Sequence, residues 1–387
     1  MIANEKIKYL EMLRGVAILL TLGTHLSFLI VWGDTAIQWI AVSFWCGVDL
    51  FFAISGFVIV RSLIADLPVN RNASEFVKFI IPFYIRRIYR LWPSAFLWLG
   101  ITLMLSVVCN KSGAIGSFTV LWRDALAAIL QVANFHISEC IKIGDCSKHL
   151  TLSIFWSLSL EEQFYFVIPI LIFFVPRKKL VFLLIFLTTA QFFLYRPTNS
   201  VAWFFRTDAL LLGSLIALAD SIGVLRLVRP VFLNAVWKTN LAVGILIVLT
   251  VLVTNDMSPV TLKPEDKSIV FFSTGLMSFL TALIVFVGVH PIDYAKTVNP
   301  LELFFIYLGQ RSYSIYLIHV VGYATTREFF FRAYPGVTFD HSFTFVFIIV
   351  AVGITVIFSE LNYRLVETRF RLIGRQKADV FKVGVKA

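Results

Sequence analysis

Apolar stretches recur along the whole chain, at residues 13–32, 39–60, 91–109, 154–175, 180–195, 209–219, 240–254, 269–289, 303–323 and 343–363, most of them near bilayer-crossing length, with the short 209–219 expected to extend back through Arg206. A helix needs roughly 20 mostly apolar residues to cross a hydrocarbon core of about 30 Å. The expected fold is therefore all-α, a polytopic integral membrane helical bundle of about ten transmembrane helices. The chain is 59% hydrophobic with 39 Phe, more apolar surface than a soluble core of this length needs. No internal repeat, low-complexity run or soluble domain stands out, and residues 1–387 read as a single membrane domain. The first apolar run is too long for a cleavable signal peptide, and it carries Arg14 and His25.

The net charge of +11 does not point to nucleic acid, because the basic residues sit in loops beside apolar runs. That pattern fixes orientation in a bilayer. Arg61, Arg71, Lys78, Arg86, Arg87 and Arg90 make residues 61–90 the most positive internal loop, and Arg177-Lys178-Lys179 and the tail 364–387 are also basic. Both termini are thus expected in the cytoplasm. The run at 91–109 must end outside and the run at 154–175 must begin there. The apolar piece 118–135, interrupted by Arg123 and Asp124, therefore cannot cross fully and reads as re-entrant or interfacial. Cys140 and Cys146 fall in the same outer region, either as a disulfide permitted by an oxidising compartment or as two free thiols.

The polar residues inside the spans carry the functional information, since each charge at a helix centre costs about 2.5–3.5 kcal/mol on insertion scales. Arg14 and His25 are eleven residues apart, so a continuous helix would set both on one face, about 16 Å apart along its axis. That stripe reads either as a path for an anionic group or as a positive-inside anchor above a satisfied polar residue. Asp49 lies in the second span and Glu161 and Glu162 in the run at 154–175. Counted from the outer ends, His25, Asp49 and the glutamates all fall roughly 10–14 Å deep. They can serve chemistry or merely satisfy one another, but two adjacent glutamates are hard to explain as packing.

Six segments in order add a resemblance. Arg14 with His25, GVDLFFAISGF at 47–57, FYIRRIYRLWP at 83–93, WSLSLEEQFY at 156–165, RTDALLLG at 206–213 and LGQRSYSIYLIH at 308–319 resemble the membrane-bound acyltransferase-3 family along almost the whole chain. The resemblance implies a ten-helix domain in the bacterial inner membrane. It would take an acyl group, most commonly acetyl, from cytoplasmic acyl-coenzyme A to a hydroxyl of a cell-envelope or secreted glycan such as O-antigen or exopolysaccharide. Small molecules such as macrolides are also family acceptors. The family's first-span Arg and His fall on Arg14 and His25, its cytoplasmic arginine motif on Arg87 and Arg90, and its carboxylate motif on Glu161 and Glu162. Two departures stand out. The tail reads Val366-Glu367-Thr368-Arg369-Phe370, where many members place a Pro. The chain also ends soon after the last span, so the fused SGNH-type domain of some members is expected to be absent.

Acyl transfer from a thioester needs a base for the hydroxyl proton, a donor for the oxyanion and a cationic dock for coenzyme phosphates. His25 is the natural base, its tautomer fixed by a carboxylate partner among Asp49, Glu161 and Glu162; alternatively it carries the acyl group as a nucleophile. Arg14 would meet the anionic donor. Arg87 and Arg90, three apart on a helical stretch, read as a phosphate grip or as an anionic-lipid anchor. Arg206 and Asp208 read as a satisfied pair or an acceptor contact. His319, with Tyr313 and Tyr316, is expected to be structural or to bond the acceptor. Gly23, Ser55 and Gly56 are expected to allow close helix approach. His136, His149, His290 and His341 lack the spacing of a metal site, so no metal is expected. The rival class is a proton-coupled transporter, which would bury similar residues but usually shows an internal repeat.

Overall fold

The computed structural model describes residues 2–143, 151–196, 200–228, 233, 235–256, 267–290 and 299–384. Among these, every regular element is a helix. Seven helices are long and apolar enough to cross a membrane: Lys8–Leu29, Thr35–Asp66, Ala73–Val108, Phe155–Phe174, Val201–Ser221, Val236–Asn255 and His341–Lys382. The chain is thus a helical integral membrane protein. Three of the ten expected runs are not among the seven. Residues 180–195 lie in the short helix Arg177–Phe192, which opens on three basic residues. Residues 269–289 lie in the apolar 22-residue helix Lys267–Gly288. Residues 303–323 lie in the 34-residue helix Pro300–Ala333, long enough but polar, with Ser312, Ser314, His319 and Thr326 all buried.

The chain divides into two compact units. The first comprises Met1–Thr24, Thr35–Ile64 and Val175–Ser312. In it the helices Cys46–Asp66 and Asp208–Ser221 meet closely through glycines. A Cβ on Gly56 would stand 2.1 Å from the Leu210 carbonyl oxygen, and one on Gly213 would stand 2.1 Å from that of Ala53. Only hydrogen fits at either place, so the two backbones touch directly, as membrane helices do where small residues face each other. The helices Val236–Asp256 and Lys267–Gly288 pack together in the same unit.

The second unit comprises His25–Asp34, Ala65–Phe174 and Tyr313–Ala387. Its longest element is the 36-residue helix Ala73–Val108, about 54 Å of rise, started by Asn72, whose side chain accepts the Glu75 amide at 2.9 Å. Arg86, Arg87 and Arg90 all stand on this helix, Arg87 and Arg90 on the helical stretch expected of them. The tail helix Thr368–Gly384 lies along it. Lys377 donates to the Tyr89 hydroxyl at 2.7 Å, and Lys382 and Arg86 both reach Asp66.

Residues 118–135 form parts of two short helices, Phe118–Ile129 and Ala133–Ile143, joined through Gln131 at a φ of 57°. At 12 and 11 residues each is about 17 Å long, too short to cross. Gln163 donates to the Gln131 carbonyl and to Asn134 at 2.8 Å, docking the turn on the helix Phe155–Phe174. His136 meets Asp124 across the hairpin at 2.8 Å. Cys146 and His149 lie outside the described residues, and with them the expected Cys140–Cys146 bridge.

Candidate active site

The first helix stops at Thr24, and His25 stands at the break before a four-residue helical turn, Leu26–Leu29. The expected stripe of Arg14 and His25 on one continuous helix face therefore does not extend to His25. Arg14 bonds Glu11 one turn away at 2.5 Å.

His25 Nδ1 and His319 Nε2 are 3.0 Å apart, and the rings lie 4.8 Å apart between centroids. His319 is fully buried, and its Nδ1 is 2.7 Å from the Tyr316 carbonyl oxygen one turn back on its own helix. The Tyr316 hydroxyl meets the Ser157 hydroxyl at 2.6 Å and donates to the Ile154 carbonyl at 3.0 Å, at the start of the helix Phe155–Phe174. A buried chain thus runs from Ser157 through Tyr316 and His319 to His25. The partner that meets Nδ1 of His25 is an imidazole, where the sequence reading expected a carboxylate.

The two glutamates sit one turn further along the Ser157 helix. Tyr165 donates to Glu161, and Glu162 is buried with Oε1 lacking a hydrogen-bond partner. The Arg87 guanidinium lies 5.1 Å above the Tyr165 ring and 5.8 Å from that of Phe83, and its charge acts on Glu162. Arg90 is half-buried, with Nε unpartnered. Tyr313 donates to the Leu91 carbonyl at 2.7 Å. The second unit therefore brings together His25, His319, Tyr316, Glu161, Glu162 and Arg87 along one helix. Ser157 and Tyr165 are eight residues apart, so the stretch of that helix carrying the seam rises about 12 Å.

The remaining candidates are committed within the first unit. Arg206 grips Asp49 with Nε to Oδ1 at 3.0 Å and Nη2 to Oδ2 at 2.9 Å, both side chains 0% exposed. Its guanidinium also lies 3.8 Å over the Trp203 ring. Asp208 is held instead by Arg196, at 3.2 and 2.6 Å. The expected pairing of Arg206 with Asp208 is thus crossed, and Asp49 has its oxygens occupied by a guanidinium. Arg196 escaped the sequence reading, although two intramembrane aspartates beside one arginine left a charge to be matched. A second missed feature is the buried knot in which Ser314 donates to Glu367 at 2.7 Å while Asn362 donates to Ser314 at 2.8 Å and to Ser94 at 3.1 Å. Among the described residues, no three His, Cys, Asp or Glu side chains converge as a metal site would require.

Residues 7–360 match the family described as an acyltransferase domain. The chain belongs to the acyltransferase-3 family. Among its relatives is O-acetyltransferase OatA of Staphylococcus aureus strain NCTC 8325, 27% identical over 368 residues, which cover 87% of this chain and 54% of that protein. Another is a protein of S. aureus strain COL provisionally named an O-acetyltransferase, 28% identical over 400 residues, covering 96% of this chain and 58% of that protein. The chain therefore spans little more than half the length of these curated relatives. No solved structure matches it. In this chain the segments 156–165 and 308–319 supply Ser157, the glutamates, Tyr316 and His319, the residues that build the seam.

Proposed function

We propose that this acyltransferase moves an acetyl group from cytoplasmic acetyl-coenzyme A to a hydroxyl of a cell-envelope or secreted glycan, within the bacterial inner membrane and with both termini in the cytoplasm. The observation that carries the reading is the hydrogen-bonded pair His25–His319, at one end of a seam whose other end holds Arg87 above Tyr165. The guanidinium end suits a phosphate-bearing donor, because arginine pairs with phosphate through a planar fork of donors. The imidazole end suits proton transfer near neutral pH. The naming of two relatives as O-acetyltransferases supports acetyl as the group carried.

In the transfer, the acceptor hydroxyl oxygen forms a bond to the thioester carbonyl carbon while His25 takes the hydroxyl proton. The carbon–sulfur bond then breaks, and the proton passes from His25 to the departing thiolate, giving ester and free coenzyme thiol. The alternative route has His25 carry the acetyl group transiently before the acceptor takes it. Buried Glu162 stands in the seam as a further proton-handling group. Arg90 is assigned with Arg87 to the coenzyme, and Tyr316 and His319 to the interior wall behind His25 in place of an acceptor contact. Arg206, Asp208 and Asp49 are assigned to holding helices.

The test uses the purified chain in nanodiscs with radiolabelled acetyl-coenzyme A. Slow acetyl-coenzyme A hydrolysis is expected without acceptor, and its loss in His25→Ala. Near-normal turnover in that variant would remove the assignment. Mass spectrometry of envelope glycans from cells with and without the gene identifies the acceptor.

A further inference from the structure

We propose that His319 is a positioning residue that decides which nitrogen of His25 reacts. The inference rests on the reading of His25 as the acyl-transfer residue, and goes beyond it by assigning the atom.

The contacts around His319 dictate where its hydrogens sit. A backbone carbonyl only accepts, so His319 Nδ1, 2.7 Å from the Tyr316 oxygen, must carry a proton. A second carbonyl of the same turn, that of Ile315, also bonds this imidazole. This part of the geometry is internal to one helix and does not depend on tertiary contacts. His319 is fully buried, and among the described residues no carboxylate bonds it. A charged imidazole in that setting would lack compensation, so His319 is neutral and its Nε2 holds a lone pair. That lone pair faces His25 Nδ1 at 3.0 Å. Nδ1 of His25 is therefore a protonated nitrogen, and in the neutral ring Nε2 holds the lone pair.

An isolated histidine ring prefers the opposite tautomer, with its proton on Nε2. The task of His319 is thus to reverse an intrinsic preference and present Nε2 as base or nucleophile. The Tyr316 hydroxyl, fixed between Ser157 and the Ile154 carbonyl, holds the turn that carries the instruction. This division of labour matches the general logic of a reactive imidazole oriented by the group behind it, with an imidazole in place of the usual acid.

Nitrogen NMR of ¹⁵N-histidine-labelled protein in nanodiscs reads the tautomer directly, with His25 assigned by its disappearance in His25→Ala. At pH 8 the wild-type ring is expected to show a protonated Nδ1 and a bare Nε2, and His319→Leu is expected to reverse the two. In acetyl-coenzyme A hydrolysis, His319→Leu should lower kcat by about a hundred-fold with KM changed less than about two-fold. His319→Gln, whose side-chain oxygen can accept from Nδ1–H, should recover about tenfold of that loss. A wild-type His25 with its proton on Nε2 would overturn the inference while leaving the acyl-transfer reading intact. So would a tautomer unmoved by His319→Leu. Undiminished hydrolysis in His25→Ala would instead overturn the acyl-transfer reading itself.

Discussion

Arg206 closes on Asp49 with Nε and Nη2 together, in a site where neither side chain is exposed. Both residues stand at helix starts. Asp49 is in the first turn of Cys46–Asp66, and Arg206 directly precedes Asp208–Ser221. Further along the same two helices Gly56 and Gly213 bring the backbones into contact. An ion pair at one end and bare backbone in the middle thus set the register of a single helix pair.

Removing one member of that pair strands the other charge, which costs about 3–5 kcal/mol in buried sites. Asp49→Ala and Arg206→Met are each expected to lower the thermal unfolding temperature in detergent strongly. The combined Asp49→Leu/Arg206→Met protein should recover part of that loss, because neither residue leaves an unpaired buried charge. A lone Asp49→Ala that melts like the wild type would show that the pair does not hold the helices.

Gly56→Ala tests the backbone contact. A methyl group there cannot fit 2.1 Å from the Leu210 oxygen, so the helices must separate, at about 1–3 kcal/mol or more. Gly100→Ala is the internal control, since a Cβ there meets nothing within 4 Å. Size-exclusion profiles and melting curves should show a loss for the first variant and none for the second. Equal behaviour of the two would refute the contact.

The apolar runs were legible because bilayer thickness imposes a length that shows directly in hydropathy, and the adjacent glutamates stood out because each one costs energy to bury. Partners were less legible. His25 and His319 are separated by 294 positions, and Asp49 and Arg206 by 157. Counting residues from span ends assigns depth but not the azimuth of a helix or its neighbours, so Asp49 was grouped with His25 on depth alone. The helix break at His25 has no Gly or Pro beside it in Thr24-His25-Leu26. The polarity of Pro300–Ala333, which takes it out of the simple span count, is the same property that supplies His319, Tyr316 and Ser314 to the interior.

Glu328, beyond the expected span 303–323, supplies a pH prediction. Its carboxylate accepts the amides of Lys111 and Ser112 at 2.9 and 2.7 Å and a bond from Arg332 at 2.5 Å. Burial works to raise its pKa, but the bonds from Ser112, Arg332 and Lys111 outweigh it and hold the group at about 2. A carboxyl depressed in the folded state contributes stability above its unfolded pKa, near 4.5, and loses it as pH falls toward 2. The difference in melting temperature between wild type and Glu328→Gln should therefore stay constant from pH 8 to about 5 and shrink progressively below that. A difference that disappears already between pH 8 and 6 would mean that the carboxylate does not clamp this loop.

Arg87 is the arginine proposed to meet the donor. Its guanidinium lies over the Tyr165 ring while Tyr165 bonds Glu161, so the cation is stacked on an aromatic face. Lysine keeps the charge but has neither the flat face nor the forked donors. Arg87→Lys is expected to raise the KM for acetyl-coenzyme A about tenfold, equivalent to about 1.4 kcal/mol, with kcat within about two-fold. Arg87→Lys/Arg90→Lys should raise it further, because Arg90 lies one turn along the same helix. Steady-state hydrolysis across acetyl-coenzyme A concentrations separates the two constants. A double-lysine protein with wild-type KM and lowered kcat would move Arg87 from donor binding to the transfer step, and one with both constants unchanged would remove the arginines from the site.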